Sequence, residues 1–373
     1  MADTVVAAAV AQTQWADDYL VEYVRLNPFN DSMGDSVNDI IQVKEDLMAK
    51  PGVRGKGVII TFQLVKRLTG AGVSNDAQLR DNEEELDNAA MSVTVNQIRQ
   101  GVTRGEYEQQ KTNIPISAAS REVLKMWSAD QDRDLIIARA LTPVVDSITT
   151  YGNATEAQKD AWETANNPTD TNQRILFGTA MANSTLDHSA GLSTIDSTND
   201  DLHQDIVSIA KRLAQTCSPR IRPVKMKDGG EEWFTFFVGT RSFRDLRANM
   251  ATILQNSAPR SLEDNPLYRD KDLVWDGVII KEVPEMSRVQ AATNGGSMIT
   301  GVGASSIDVE AGFFCGAQAV FYGISQRLAI RTDDYDYGNK SGVAVVQTRG
   351  AAKASFDTIQ HSVVTVYTSA VAD

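Results

Sequence analysis

Residues 231–286 read EEWFTFFVGTRSFRDLRANMATILQNSAPRSLEDNPLYRDKDLVWDGVIIKEVPEM, and their pattern decides the fold. Residues 233–238 (WFTFFV) are an aromatic and β-branched run, the composition of a strand covered on both faces. Residues 241–254 place apolar side chains at Phe243, Leu246, Met250 and Ile253 or Leu254, which is helical spacing. Asn265-Pro266-Leu267-Tyr268 is a turn, and residues 274–283 read as a second strand that carries Asp276-Gly277. No nucleophile, metal cluster or phosphate loop occurs in the stretch. A strand–helix–strand unit without chemistry points to a protein whose surface is its function.

The whole chain, at 373 residues, is long enough for two or three cores or for one core with large insertions. Its 42% hydrophobic and 23% charged residues are those of an ordinary folded protein. A net charge of −13 argues against nucleic acid as the main partner, because proteins that neutralise phosphates present a basic face. Cys217 and Cys315 form no CxxC pair and read as small buried hydrophobes of a reduced protein. The start has Asp3 where a signal peptide has basic residues, and no apolar run approaches a membrane helix. Folding in a cytosol, with no membrane partner, is the expectation.

Residues 1–50 hold nine acids against three bases. Trp15, Tyr19 and Tyr23 are four apart and would share one helical face. After Asn27-Pro28-Phe29, the positions Val37, Ile40, Ile41, Lys44, Leu47 and Met48 predict a second amphipathic helix. Such narrow stripes need a surface to lie on, either this chain's body or a neighbouring subunit. Gly55-Lys56 lacks the leading glycine and the Ser/Thr of a phosphate loop. Residues 58–65 and 92–98 read as strands. Between them, residues 69–90 are polar, glycine-opened and acidic, predicting either a projecting hairpin arm or a loose surface loop.

A helical pattern starts at Ile116 and runs through Val123, Leu124, Trp127, Leu135, Ile137 and Leu141 to Val144 and Ile148. Ser117 is its expected cap, Pro143 its expected bend, and Arg121 and Lys125 should face water. Asp187-His188 and the region of His203 invite a catalytic reading. With no GxSxG elbow, and with His361 standing alone, surface or capping histidines are expected. Residues 205–214 predict a helix, followed by a basic run from Arg220 to Lys227 and the turn Asp228-Gly229-Gly230. The GVG at 301–303 is no dinucleotide fingerprint. A calcium loop counted from Asp334 fails because Val345 stands at position twelve. Residues 343–346 and 363–367 close the chain as strands.

Five stretches, in order, carry a family likeness: ITFQLVKRLTGAGV with NEEEL behind it, RPVKMKDGGEEWFTFFVGTRSFRDLR, NPLYRDKDLVWDGVIIKEVPEM, CGAQAVFYG and DYDYGNKSGVAV. Together they resemble the major capsid proteins of tailed phages with the Hong Kong 97 fold, in its prophage and podovirus branch. The likeness covers residues 58–367. Asp81-Asn82-Glu83 departs from the branch's acid-Gly-Asn-Glu turn, and residues 1–50 have no counterpart.

The resemblance implies an α+β capsid fold. Its parts would be an N-terminal arm (1–57), an extended β-hairpin loop with flanking strands (58–106) and a peripheral domain with a long spine helix (107–200). An axial domain (201–334) and a return to the peripheral domain (335–373) would follow. It implies a major capsid protein that self-assembles into hexamers and pentamers of an icosahedral head around double-stranded DNA. No cofactor, metal or active site is expected. Its partners would be itself, a portal, scaffolding or decoration proteins, and packaged DNA touched non-specifically, in a virion assembled in the host cytoplasm.

On this reading Glu83, Glu84 and Glu85 meet a basic surface of the next subunit, with Arg121 and Lys125 as candidates and Trp15, Tyr19 and Tyr23 as arm contacts. Lys66 is the one lysine in residues 58–90, at the arm's base, so a lysine cross-link at the tip is not supported. The rivals are a shell of the same fold around protein cargo, and an enzyme using Asp187 and His188.

Overall fold

The computed structural model describes residues 27–45, 59–112 apart from 69, 71, 76, 77 and 81, 115–143, 149–225 apart from 170, 232–251, 268–269, 272–291 and 295–372. Trp15, Tyr19 and Tyr23, the glycine-rich stretch 51–57 and the Asp228-Gly229-Gly230 turn lie outside these residues. Strands β1 (Met33–Gly34), β2 (Ile41–Glu45), β3 (Ile59–Val65), β4 (Asn88–Thr94) and β5 (Asn96–Gly105) come first. Helices α1 (Glu106–Lys111), α2 (Ile116–Leu141) and α3 (Glu156–Asn166) and strand β6 (Ile175–Phe177) follow. Then come α4 (His188–Ser193), α5 (Gln204–Thr216), β7 (Val224–Lys225), β8 (Glu232–Val238) and α6 (Thr240–Asn249). The remainder is strand: β9 (Tyr268–Arg269), β10 (Asp272–Trp275), β11 (Val278–Glu282), β12 (Met298–Ile299) and β13 (Val309–Cys315). Last are β14 (Val320–Tyr335), β15 (Lys340–Lys353), β16 (Ser355–Phe356), β17 (Ile359–Gln360) and β18 (Val363–Ser369).

Strand β8 sits inside the larger sheet, ordered β6-β18-β13-β8-β11-β10-β9, with β13 antiparallel on one side and β11 parallel on the other. Its side chains alternate between two cores. Phe234, Phe236 and Val238 pack with Ile206, Leu213, Leu246 and Met250 of the helix layer α5 and α6. Phe237 points the other way, into a core with Ile136, Trp162, Phe313 and Tyr367. Cover on both faces is why the run is apolar at successive positions. Residues 274–283 are not one strand. Asp276 (φ 48) and Gly277 (φ 73) make a tight turn, and β10 folds back antiparallel on β11 with Trp275 opposite Val278. An Asp-Gly pair with two positive φ values is a hairpin signal that outweighs the β-branched residues around it.

The second sheet runs β1-β2-β14-β15-β5 and carries α2, whose Leu124 packs on Val343 and Val345 with Trp127 beside them. Val123, expected in the core, is 48% exposed. Ser117 lies inside the helix, and the capping position is Pro115, which has no side-chain hydrogen bond to offer. The helix stops at Leu141, just before Pro143. A helix through residues 37–48 is also overturned, because Ile41–Glu45 is β2, paired in parallel with β14 (Ile41 opposite Val320). Open backbone partners on β14 and burial of both Ile40 and Ile41 override the helical spacing. Leu47 and Met48 lie outside the described residues.

Strands β3 and β4 form a separate two-stranded hairpin. Its base is a small core of Ile60, Phe62, Val93 and Val95 against Phe321, Ala352 and Phe356. The predicted strand 92–98 divides at buried Val95, where the chain passes from this hairpin into β5 of the second sheet. Gly350 permits that crossing, since a Cβ there would stand 2.1 Å from the Thr94 carbonyl oxygen.

Candidate assembly surfaces

His188 is buried, which corrects the expectation of a surface or capping histidine. Its Nε2 lies 2.9 Å from the Tyr151 hydroxyl and its Nδ1 3.7 Å from Glu163, inside rings of Trp162, Phe177 and Tyr367. Asp187 caps α4 by accepting from the Ala190 N–H at 3.0 Å, and that bond holds its carboxyl below the usual range. His203 sets Nδ1 2.7 Å from the Asp201 carbonyl oxygen. His361 packs edge-on against Phe356, and burial lowers its pKa to about 4. His188 and His361 are thus occupied in packing, and His203 in a backbone hydrogen bond. Among the described residues, no group of three or more His, Cys, Asp or Glu could hold a metal ion.

Two buried ionic seams tie α2 to the rest. Arg133 reaches Asp130 at 2.7 Å, Asp134 at 3.2 Å and Glu285 at 3.4 Å. Arg349 of β15 and the Tyr322 hydroxyl of β14 both donate to Asp132. Burial raises the Asp132 pKa, outweighing the opposite pull of Arg349. Sequence reasoning overlooked these seams. Their signal was the run DQDRD at 130–134 within an otherwise apolar helical pattern.

The arm is different in kind. Beyond Val65, Lys66 forms a neck with Asp87 and Asp357, each at 2.7 Å. Past the neck the described side chains other than half-buried Val73 are exposed, including Leu68 at 60%, Leu79 at 60% and Leu86 at 62%. Glu84 turns inward and accepts from the Gly70 N–H at 2.6 Å. Glu83 and Glu85 are exposed and form no ion pair among the described residues. Arg121 and Lys125 are exposed on α2 as expected, one turn apart beside Glu122 and Val123. Among the described residues no ion pair joins them to Glu83 or Glu85. At the far end of the β14–β15 hairpin, Tyr337 (φ 51) stands wholly in solvent.

An arm that presents exposed leucines and acids past its neck is the anatomy of a subunit that assembles. A model of the family described as phage capsid protein matches residues 3–372. The chain belongs to the phage capsid protein family. The major capsid protein of Pseudomonas phage KPP25 is 26% identical over 335 residues, covering 88% of this chain and 85% of that protein. The capsid subunit of cyanophage Pam1 matches the full length of both chains at 31% identity with a TM-score of 0.87. The capsid of Ralstonia phage GP4 shares the fold over 100% of this chain and 99% of its own, at 18% identity and TM-score 0.73. This capsid protein therefore has the α+β, Hong Kong 97-type architecture that its motifs resemble. It is a phage major capsid protein, a structural component of the virion shell.

Proposed function

We propose that this capsid protein builds hexamers and pentamers of an icosahedral head around double-stranded DNA, through many modest contacts repeated by symmetry. No catalytic step or cofactor enters the scheme. The arm within residues 1–57 crosses to adjacent subunits with Trp15, Tyr19 and Tyr23 as its apolar contacts, while β1 and β2 stay paired in this chain's own sheet. Residues 58–106 form the extended loop, 107–200 and 335–373 the peripheral domain, and 201–334 the axial domain nearer each capsomer's centre. Glu83, Glu84 and Glu85 lie against a basic surface of the next subunit, for which Arg121 and Lys125 are one candidate pair. A portal and scaffolding or decoration proteins complete the head, which assembles in the host cytoplasm.

The observation that carries this reading is the exposure of Leu68, Leu79 and Leu86 on an arm anchored at its base core and its neck. A two-stranded hairpin bearing uncovered leucines gains stability from a neighbour's surface. The test is sedimentation and negative-stain imaging of the purified chain beside a Glu83→Lys/Glu84→Lys/Glu85→Lys variant. The wild type should give shells with copurifying nucleic acid, and the variant folded subunits alone. Normal shells from the variant would remove the role assigned to the arm acids.

A further inference from the structure

The two faces of the β1-β2-β14-β15-β5 sheet are covered unequally. Val343 and Val345 point to α2, and Gln347 accepts from the Ser128 hydroxyl of that helix at 3.1 Å. Alternate residues of the same ladder point the other way. Arg331, Ala344 and Gly101 sit side by side in one row, and Ala329, Val346 and Arg99 in the next. At one end of this second face lies the base of the chain's own arm, with Phe62 stacked on Phe321. Past buried Val346 the face opens to water, with Ala329 and Ala344 partly exposed and both Arg99 and Arg331 exposed.

There the face is hollowed by a cavity of about 200 Å³ lined by Gln97, Arg99, Gln326, Arg331 and Val346. Gln326 is only 2% exposed, yet its Nε2 has no hydrogen-bond partner among the described residues. Thr348, opposite it in the ladder, also has an unpartnered buried hydroxyl. Native proteins leave few buried polar atoms unsatisfied, so an orphaned amide donor marks a place where an acceptor belongs. Neither Arg99 nor Arg331 forms an ion pair among the described residues. Two guanidinium groups and an amide N–H around one hollow match a carboxylate. The small residues Gly101, Gly342 and Ala344 on this face let another backbone approach closely.

We propose that this hollow receives the carboxylate of Glu83 or Glu85 from the arm of a neighbouring copy. The proposal rests on the arm-over-neighbour reading and moves its receiving surface from α2 to the opposite, sheet side of the same layer. The arm carries the complementary charge in the right form: Glu83 and Glu85 are exposed and form no ion pair among the described residues, while Glu84 is engaged with its own Gly70. Arg121 and Lys125 make a weaker receiver. They stand in open water with Glu122 beside them, where ion pairs are screened and contribute little. The sheet-side hollow offers a desolvated donor as well as charge.

Charge exchange within one chain tests this, because every copy carries both halves. Four variants are compared with wild type by sedimentation and electron microscopy, with circular dichroism to verify folding. They are Arg99→Glu/Arg331→Glu, Glu83→Arg/Glu85→Arg, the combination of all four, and Arg121→Glu/Lys125→Glu. The first two should lose at least tenfold in shell yield, the combination should regain most of it, and the α2 variant should assemble as wild type. Wild-type shell yield from Arg99→Glu/Arg331→Glu, with or without its nucleic acid, would overturn the pairing and leave the shell reading standing. So would a combined variant no better than its parents. A wild-type chain that forms no shells at all would overturn the shell reading, and the pairing with it.

Discussion

The guanidinium of Arg133 lies 3.4 Å from the carboxylate of Glu285, with the two side chains 3% and 8% exposed. This contact joins the long helix α2 to the turn Pro284–Ser287 that follows β11, so it fixes how the helix meets the larger sheet. Asp130 and Asp134 share the same guanidinium. Burial nevertheless raises the Asp134 pKa, because desolvation outweighs the attraction of Arg133. Arg133→Ala would leave buried carboxylates without their cation, a change that typically costs about 3–5 kcal/mol. Urea unfolding of dissociated subunits should show a loss of that order. A loss below about 1 kcal/mol would mean that water or Arg288, 3.8 Å from Asp134, takes over the charge.

Lys353 is a buried amine paired with no carboxylate among the described residues. Its Nζ donates to Gln360 Oε1 at 3.1 Å and lies 4.8 Å from the Trp162 ring centroid. Burial lowers its pKa from 10.5 to about 7. Between those values the unfolded chain holds a proton that the folded chain has released, so stability climbs as pH rises through this window. The full climb is worth at most about 5 kcal/mol. Lys353→Met should flatten it and raise stability most at pH 7 and below. Urea midpoints at pH 7 and 9.5 for both proteins provide the check. Equal pH dependence in the two would show that Lys353 keeps its proton in the folded state.

What could be read in advance was what local pattern controls. The WFTFFV run, the helices α2, α5 and α6 and the arm strands each combine composition and period over a continuous stretch. Strand β2 could not be read that way, because its partner β14 lies some 280 residues away and its spacing suits a helix equally well. The burial of His188 depends on Trp162, Phe177 and Tyr367, drawn from three separate elements. The arm acids were legible as a charge run. The open sheet face was not, since Arg99 and Arg331 meet only through the pairing of β5 and β14 with β15. Asp276-Gly277, like the DQDRD run at 130–134, is a miss whose signal was already present in the residues themselves.

That turn makes a direct prediction. A Cβ on Gly277 would meet nothing nearer than 3.5 Å, so the cost of Gly277→Ala is conformational and arises from φ 73 alone. About 1–2 kcal/mol is the usual penalty for a side chain in this region. Asp276→Asn should be milder, because Asn tolerates positive φ. What it loses is the partly exposed bond to Lys211 at 2.8 Å. Thermal melts should rank wild type, Asp276→Asn and Gly277→Ala in that order. A Gly277→Ala protein as stable as wild type would mean that the turn adopts another geometry.

The arm's attachment can be weakened without touching the main cores. Phe62 stacks on Phe321 with ring centroids 4.1 Å apart and planes 12° from parallel, and it is buried at the hairpin's base. Phe62→Ala removes this stack, and Phe→Ala changes in cores cost about 3–5 kcal/mol. Because β3 and β4 pair only with each other, most of that loss should fall on the hairpin and little on the sheet containing β13. Hydrogen exchange by β3 amides should then speed up by about a hundredfold or more, while β13 amides keep their protection. Shell yield should fall with the arm's order, since an arm that detaches from its base cannot present its tip in register. Unchanged protection in β3 would show instead that the neck of Lys66, Asp87 and Asp357 holds the hairpin. In that case Lys66→Ala becomes the substitution that frees it.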